Sequence, residues 1–214
     1  MKYPCLVLDH DDTVVQSTVQ LHYPAYLHTL RLLRPHVVPL SCEAFQEACD
    51  TPGLVALYEQ EYGFTKAEMD FELTDWKRYV SNTVPDSFDG IGEVLTAYHQ
   101  AGGMICVVSH SHQELIRRDY NHHLGFEPHL IYDLSFENNK PNPHPILDIL
   151  EKTGFTKEQL LVVDDLPLGL QMAQGAGVDF AYAGWCHNPP AIHQKMVTHS
   201  PIVLSHPRQL EEIL

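Results

Sequence analysis

Short runs of apolar residues recur along the chain with the length of buried β-strands. They lie at positions 3–8, 104–108, 129–132, 160–163 and 179–183. The runs are apolar throughout and do not alternate with polar residues, which is typical of strands that are covered on both faces. Helix-like stretches separate the later runs. The pattern therefore predicts an α/β fold in which repeated βαβ units build a Rossmann-like parallel sheet.

Local signals predict where several of the intervening helices begin and end. Apolar residues recur at helical spacing over 91–98, and a Gly-Gly pair closes that segment. Ser111 and Glu114 form an S-x-x-E pattern, which predicts a helix that begins at this point with Ser111 as its cap. A further helix is predicted between Pro143 and Gly154. Each of these helices would connect two parallel strands.

One long segment does not follow this alternation of strands and helices. Residues 17–85 contain no convincing strand, and their apolar residues recur at helical spacing. The segment is too long to be a single crossover helix between the first and second strands. We therefore predict two domains. Residues 1–16 and 86–214 form a Rossmann-like core domain, and residues 17–85 form a small all-α helical domain inserted into it.

Charge and composition exclude several classes of partner. The formal charge of −15 argues against nucleic acid and anionic membranes, because binding a polyanion requires clustered Lys and Arg. No apolar stretch approaches the roughly 20 residues that span a bilayer, and the start of the chain does not resemble a secretory signal. The five cysteines are scattered and odd in number. A cytoplasmic protein is expected, and nothing requires more than a monomer.

Polar and acidic residues follow the predicted strands at their carboxyl ends. They are Asp9, Asp11, Asp12, Ser109, Lys140, Asp164 and Asp165. The carboxyl ends of parallel strands meet at one edge of the sheet, so these side chains are expected to converge. Crowded carboxylates repel each other unless a cation neutralises them, and Mg²⁺ is the cation that best suits oxygen ligands beside a phosphate. One carboxylate can then attack a phosphoryl group.

These residues resemble the motifs of the haloacid dehalogenase-like (HAD) hydrolases, in particular subfamily IA, which has a helical cap after the first strand. Residues 6–14 (LVLDHDDTV) resemble the first motif, a strand followed by D-x-D-x-T. Residues 106–109 (CVVS) resemble the second motif, 140–141 (KP) the third and 162–169 (VVDDLPLG) the fourth. The motifs occur in the family's order, and the resemblance covers essentially the whole chain.

The resemblance implies catalytic and metal-binding roles. Asp9 would be the nucleophile and a metal ligand. Asp11 would be the general acid and later the general base, with its backbone carbonyl on the metal. Lys140 would pair with the nucleophile and the phosphate, and Asp165 and Asp164 would complete the Mg²⁺ site. The implied function is Mg²⁺-dependent hydrolysis of a small phosphorylated metabolite through an aspartyl-phosphate, and Asp11 favours this chemistry because the dehalogenases of the superfamily lack the second Asp.

Five residues are predicted to contact the substrate: Ser109, His110, Thr13, His22 and Tyr23. The resemblance implies that the Ser109 hydroxyl donates to the phosphoryl oxygens. His110 lies at a predicted helix start, where backbone N–H groups favour an anion. His22 and Tyr23 open the predicted cap domain, which would close over the site. Further candidates, for which a purely structural role is favoured, are Tyr26, Arg31, Arg34, Lys77, Arg78 and the loop Trp185-Cys186-His187.

Two positions depart from the family's motifs. Asp12 stands where the family usually has glycine, and Leu166 stands where it usually has Ser or Thr. Neither departure removes a group that the mechanism needs. Asp12 adds a negative charge near the site unless it turns outward.

Other functions remain open at this point. A phosphosugar mutase of the β-phosphoglucomutase type resembles the same cap class, and the sequence does not separate it from a phosphatase. A non-catalytic phosphate-binding regulatory module would usually lose Asp9, Asp11 or Lys140, and all three are present. Phosphonate cleavage would need a Schiff-base lysine for which no recognisable setting exists. The fifteen histidines form no ligand spacing for zinc.

Overall fold

The computed structural model of the protein describes residues 1–186 and 188–214. Six strands form one sheet: β1 (Cys5–Leu8), β2 (Met104–Val108), β3 (Leu130–Tyr132), β4 (Leu160–Asp164), β5 (Asp179–Ala183) and β6 (Ile202–Leu204). Their order is β3-β2-β1-β4-β5-β6, and every neighbouring pair is parallel. The predicted α/β fold and its five strands are confirmed. Among the strands of the described residues, only β6 was not predicted, because its apolar run of three residues is too short to stand out.

The helices of the described residues are α1 (Tyr23–Leu33), α2 (Cys42–Asp50), α3 (Leu54–Ala56), α4 (Lys66–Ser81), α5 (Ile91–Gln100), α6 (Gln113–Leu124), α7 (His144–Thr153), α8 (Pro167–Ala176) and α9 (Pro190–His199). Single turns of π-helix precede α1 and follow α3. As predicted, α7 lies between Pro143 and Gly154; Gly154 follows its last residue with a φ of +72°. No helix of the described residues is long and apolar enough to cross a membrane.

The register of the central strands sets the position of the site. Leu8 of β1 pairs with Val163 of β4 on one side and with Val107 of β2 on the other. The backbone N–H of Asp9 donates to the carbonyl of Val163 at 2.9 Å, which extends the ladder by one residue. Strand order reverses at β1, and in such sheets ligands bind beyond the carboxyl ends of the strands at this point. The acidic residues of the first and fourth motifs therefore lie next to each other at the carboxyl ends of β1 and β4.

Contacts divide the chain into two compact units. One unit comprises residues 1–16 and 87–214 and contains the sheet with α5 to α9. The other comprises residues 17–86 and is helical, and within this fully described range no strand occurs. The sheet unit resumes at Ser87, one residue after the predicted boundary.

Each unit has its own hydrophobic core. In the sheet unit, the strands are mainly apolar because helices cover the sheet, and β1 and β4 are fully buried. In the helical unit, aromatic rings dominate the core, with Tyr26 packed against Phe45 and Tyr58. The Tyr26 hydroxyl lies 2.7 Å from the Tyr62 hydroxyl and accepts a hydrogen bond from the Leu40 N–H at 2.8 Å. The structural role favoured for Tyr26 is confirmed.

The prediction that Ser111 caps the helix after β2 is wrong. Helix α6 begins at Gln113, and His112 occupies the N-cap position without a side-chain capping hydrogen bond. The Ser111 hydroxyl instead donates to the carboxylate of Asp11, a hundred positions earlier in the chain. A local capping pattern could not reveal this, because the competing acceptor belongs to another strand's loop.

Candidate active site

The loop after β1 folds back on itself directly after the strand. The carbonyl oxygen of His10 accepts hydrogen bonds from the N–H groups of Val14 (3.0 Å) and Val15 (3.2 Å). Asp12 lies at the tip of this loop with a φ of +56°, in the left-handed region. Glycine adopts this region freely, and Asp tolerates it better than most residues. The resembled motif usually has glycine here, and glycine adopts this positive φ without strain. Asp12 adopts the same backbone conformation.

Lys140 lies between two of the predicted carboxylates. Its Nζ is 2.7 Å from Oδ1 of Asp9 and 2.8 Å from Oδ2 of Asp164. All three side chains are buried. Charge-assisted pairs of this kind fix the ammonium and both carboxylates relative to one another. The structure therefore brings together three residues that were predicted as nucleophile, phosphate-binding cation and metal ligand.

Asn139 and His110 hold the loop that carries Lys140. Asn139 Oδ1 accepts a hydrogen bond from the Lys140 N–H at 2.6 Å, and Asn139 Nδ2 donates to the carbonyls of Ser109 (2.9 Å) and Asp133 (2.8 Å). The Nε2–H of His110 donates to the Lys140 carbonyl at 3.0 Å. The imidazole of His110 thus has a positioning role, while the predicted contact between its backbone and phosphate stays a prediction.

Asp9, Asp164 and Asp165 form a buried cluster of carboxylates. One oxygen of each lies within 4.8 Å of the others. Three carboxylates and the single ammonium of Lys140 leave a formal excess of two negative charges, which a divalent cation would neutralise. Mg²⁺ prefers oxygen ligands of this kind. The donor set of the cluster therefore fits the predicted metal.

Burial and the same imbalance of charge shift the pKa values of these groups. Burial raises the pKa of Asp165 well above its ordinary value, and the charges of Asp164 and Asp9 raise it further. Burial also raises the pKa of Asp9 and that of Asp164, although Lys140 opposes both shifts. Burial lowers the pKa of Lys140, but the carboxylates of Asp164 and Asp9 outweigh this effect and raise it overall. The lysine is therefore charged, and it compensates only part of the carboxylate charge.

Helix α8 begins directly against Asp164. The N–H of Leu166 donates to Oδ1 of Asp164 at 2.8 Å. A Cβ atom at Gly169 would lie 2.2 Å from both Cγ and Oδ2 of Asp164, far inside van der Waals contact. The glycine of the fourth motif therefore permits the first turn of α8 to pack on a carboxylate that Lys140 already holds from the other side.

Asp165 is held by the loops after β1 and β5. The hydroxyl of Thr13, which is fully buried, donates to Oδ1 of Asp165 at 3.4 Å. Asn188 Nδ2 donates to the Asp165 carbonyl at 2.6 Å, and the indole N–H of Trp185 donates to the Thr13 carbonyl at 3.0 Å. These contacts support a positioning role for Thr13, and its predicted contact with substrate stays a prediction. His187, also considered from the sequence, lies outside the described residues.

Ser109, Ser111 and Asp11 form a chain of hydrogen bonds from β2 to the loop after β1. Ser109 is buried, and its Oγ accepts a hydrogen bond from the Ser111 N–H at 3.1 Å. The Ser111 hydroxyl donates to Oδ2 of Asp11 at 2.5 Å. The structure thus places the predicted phosphate donor beside Ser111, whose hydroxyl is hydrogen-bonded to the predicted general acid.

His22 and Tyr23, predicted as substrate contacts, both have partners inside the helical unit. His22 Nδ1 accepts a hydrogen bond from the indole N–H of Trp76 at 3.1 Å, and the two rings stack. The Tyr23 hydroxyl donates to the Leu40 carbonyl at 2.9 Å. Their contact with a substrate stays a prediction.

Arg34 has a structural role in the helical unit. Its five N–H donors all bond to the carbonyls of Leu33, Tyr62 and Gly63 or to the carboxylate of Glu68. Arg31 and Lys77, by contrast, are exposed, and Arg78 pairs with Asp75.

Sequence reasoning missed a buried pair behind the nucleophile loop. His10 Nε2 lies 3.1 Å from Oδ2 of Asp119, and both side chains are buried. Arg118 Nε donates to the other oxygen of Asp119 at 2.7 Å. No local pattern links α6 to the middle residue of D-x-D, so this pair could not be read from the chain. Asn139 carried a better signal, because it directly precedes Lys140.

The family model described as haloacid dehalogenase-like hydrolase matches residues 6–183. The chain therefore belongs to the haloacid dehalogenase-like hydrolase family, as its motifs predicted.

Individual relatives agree with this assignment. A phosphoglycolate phosphatase from Aliivibrio fischeri is 30% identical over 131 residues, which are 58% of this chain and 55% of that protein. One from Aquifex aeolicus is 29% identical over 113 residues, 51% of this chain and 53% of that protein. The chain thus spans about half the length of these curated relatives.

A solved structure shows the same fold over the full chain. The crystal structure of a predicted phosphoglycolate phosphatase from Haemophilus somnus superimposes with a TM-score of 0.83. The alignment covers 100% of this chain and 98% of that one at 15% sequence identity. At this level of identity the similarity establishes the fold alone.

Proposed function

We propose that this protein is a Mg²⁺-dependent phosphatase that hydrolyses a phosphomonoester of a small metabolite, with Asp9 as the nucleophile. The observation that carries the proposal is the Lys140 ammonium, which lies within 2.8 Å of oxygens of both Asp9 and Asp164. A fixed cation beside a buried carboxylate suits a site where that carboxylate must meet a phosphate. Family membership and the similarity to phosphoglycolate phosphatases support the same activity.

In the first step, a carboxylate oxygen of Asp9 forms a bond to phosphorus while the bond from phosphorus to the ester oxygen breaks. The ester oxygen takes the proton of the Asp11 carboxyl and leaves as an alcohol. Lys140 and the Ser109 hydroxyl hold the phosphoryl oxygens and offset their charge. The product of this step is an aspartyl-phosphate at Asp9.

In the second step, the Asp11 carboxylate takes a proton from a water molecule that attacks phosphorus. The bond between phosphorus and the Asp9 oxygen breaks, and inorganic phosphate is released. Asp9 returns to a carboxylate and Asp11 to a carboxylic acid. The cycle therefore uses one acid–base residue twice, in opposite directions.

Asp9, Asp164, Asp165 and the backbone carbonyl of Asp11 would hold Mg²⁺. When bound, the metal neutralises the excess negative charge and withdraws charge from the phosphoryl oxygens. The hydrogen bonds described above orient its ligands: Asp164 is held by Lys140 and Leu166, and Asp165 by Thr13.

We also propose that the helical unit acts as a cap that closes over the site and excludes water, with His22 and Tyr23 as candidate substrate contacts. The unit directly follows the first motif in sequence. Phosphoglycolate is the first substrate to test, because the curated relatives are phosphoglycolate phosphatases.

The proposal is tested by phosphate release from phosphoglycolate, a hexose phosphate, a nucleoside monophosphate and p-nitrophenyl phosphate, with Mg²⁺ or with EDTA. We expect release that requires Mg²⁺ and is abolished by Asp9→Asn. Asp12→Asn is the matched control, because it makes the same change in the same loop at a residue outside the carboxylate cluster.

If the Asp9→Asn variant released phosphate at the wild-type rate, Asp9 would not be the nucleophile. A wild-type protein that binds Mg²⁺ and releases no phosphate from any ester would favour the phosphosugar mutase or the non-catalytic module.

A further inference from the structure

The Ser111 hydroxyl makes a hydrogen bond that local sequence does not predict. Its Oγ donates to Oδ2 of Asp11 at 2.5 Å, and Ser111 is buried. An S-x-x-E pattern would use this hydroxyl to cap α6, yet His112 occupies the N-cap position. The hydroxyl therefore serves the loop after β1 and not the helix that follows it.

The backbone of Ser111 is held on both sides. Its N–H donates to Oγ of Ser109 at 3.1 Å, and its carbonyl accepts a hydrogen bond from the N–H of Leu134 at 3.2 Å. The first bond ties Ser111 to the end of β2, and the second ties it to the turn after β3. A fixed backbone limits the Ser111 hydroxyl to the few positions that its side-chain rotamers allow, and in the observed one it reaches Asp11.

We propose that Ser111 is a positioning residue that holds the Asp11 carboxyl in the orientation from which it transfers its proton. This inference rests on the proposed function. The hydrogen bond from Ser111 holds Oδ2 of Asp11, so it constrains the orientation of the carboxyl that carries the proton to be transferred. As the bond from phosphorus to the ester oxygen breaks, that proton passes to the ester oxygen. The carboxylate that remains on Asp11 keeps the hydrogen bond from Ser111.

This role predicts that the importance of Ser111 depends on the leaving group. An alkoxide needs a proton as it leaves, whereas p-nitrophenolate leaves readily without one. The ratio kcat/KM reports the steps up to transfer of the phosphoryl group to Asp9. Loss of the Ser111 hydroxyl should therefore lower kcat/KM for an alkyl phosphate and have little effect on kcat/KM for p-nitrophenyl phosphate. General loosening of the site would lower both equally.

The test measures kcat and KM of Ser111→Ala and Ser111→Thr with p-nitrophenyl phosphate and with the alkyl phosphate that the wild type hydrolyses fastest in the panel above. For Ser111→Ala we expect kcat/KM to fall on the order of tenfold to a hundredfold with the alkyl ester, part of the effect typical of a general acid. Ser111→Thr keeps the hydroxyl and should retain most of the activity. Ser200→Ala is the control, because its buried hydroxyl has no partner among the described residues.

A double-mutant cycle adds a second readout. In an Asp11→Asn background, Ser111→Ala should cause no further loss, because the residue that it positions no longer carries an acid. Equal losses with both esters, or an undiminished loss in the Asp11→Asn background, would overturn the proposal. If the wild type hydrolyses neither ester, the proposed function itself fails, and the role of Ser111 fails with it.

Discussion

Asp12 stands at the tip of the nucleophile loop with a φ of +56°. Its N–H donates to the Val15 carbonyl at 2.8 Å, which fixes the turn. A side chain with a Cβ is strained in this region by roughly 1–2 kcal/mol, although Asp is among the residues that visit it most readily. The backbone of the loop, more than its chemistry, therefore explains why glycine is usual at this position in the family.

Substitutions at Asp12 test this explanation. Asp12→Gly should keep both the free energy of unfolding and the activity of the wild type, whereas Asp12→Ala should lose about 1 kcal/mol, because alanine cannot adopt this φ without strain. Urea denaturation of the three proteins measures the difference. Equal stability of Asp12→Ala and Asp12→Gly would show that the backbone angle does not limit this site.

Individual site residues differed in how far the sequence could predict them. Asp9, Lys140 and Asp164 follow strand ends that the apolar runs define, so their convergence followed from the topology of a parallel sheet. The contacts of Asn188 and Asp119 could not be predicted, because each reaches a residue in a distant loop whose neighbour depends on the folded structure.

Helix α8 illustrates how a secondary-structure element shapes the site. Its first turn packs on Asp164 at Gly169, and it begins with Pro167, which suits the first turn of a helix. Asp164 cannot move aside easily, since Lys140 Nζ and the Leu166 N–H both hold it. The close packing of Gly169 on Asp164 is therefore fixed by the start of α8 and could not be relieved by a movement of the Asp164 side chain alone.

Two glycines of α8 provide a matched pair of variants. In Gly169→Ala, the new Cβ would meet Asp164 at 2.2 Å, so we expect a loss of about 1–3 kcal/mol in the free energy of unfolding and a large loss of activity. In Gly175→Ala, the new Cβ would lie 3.4 Å from Pro143, an ordinary contact. That variant should be neutral or more stable by up to about 1 kcal/mol, because alanine favours the helix.

Urea denaturation and the phosphatase assay together measure both effects. Wild-type activity in Gly169→Ala would mean that Asp164 does not need its observed position.

At the level of elements, the sequence predicted the strands better than the helix termini. Mainly apolar runs of four to six residues identified β1 to β5, whereas the three apolar residues of β6 gave too short a pattern. Ser111 fits a local capping pattern, but its hydroxyl donates to the carboxylate of Asp11 on another loop. Tertiary hydrogen bonds of this kind override local propensity mainly at functional sites.

Considered as a whole, the protein is strongly acidic yet is proposed to bind a phosphate. The net charge of −15 repels anions at long range, so attraction must arise locally. The buried site itself holds three carboxylates and one ammonium. A divalent cation that neutralises this cluster should therefore both enable activity and stabilise the fold, because it binds the native state in preference to the unfolded chain.

Thermal unfolding with and without Mg²⁺ tests this coupling. We expect Mg²⁺ to raise the Tm of the wild type, and we expect Asp165→Asn to abolish that rise. In EDTA, Asp165→Asn should unfold at a higher temperature than the wild type, because it removes one of the repelling carboxylates; about 1 kcal/mol corresponds to roughly 2–4 °C in a chain of this size.

Asp89→Asn is the control, since Asp89 is almost fully exposed and should respond to Mg²⁺ as the wild type does. An Asp165→Asn protein with an undiminished response to Mg²⁺ would place the metal elsewhere.

The most direct test of the proposed mechanism is detection of the phosphoryl group on Asp9. Wild-type protein is mixed with Mg²⁺ and its best substrate, quenched in acid during turnover, digested and analysed by mass spectrometry. We predict that the peptide containing Asp9 gains one phosphoryl group and that Asp9→Asn gains none. With p-nitrophenyl phosphate, whose leaving group needs no proton from Asp11, we expect Asp11→Asn to accumulate the modification because its hydrolysis lacks a general base. Turnover without any phosphorylated peptide, or with the phosphoryl group on a different residue, would contradict the account.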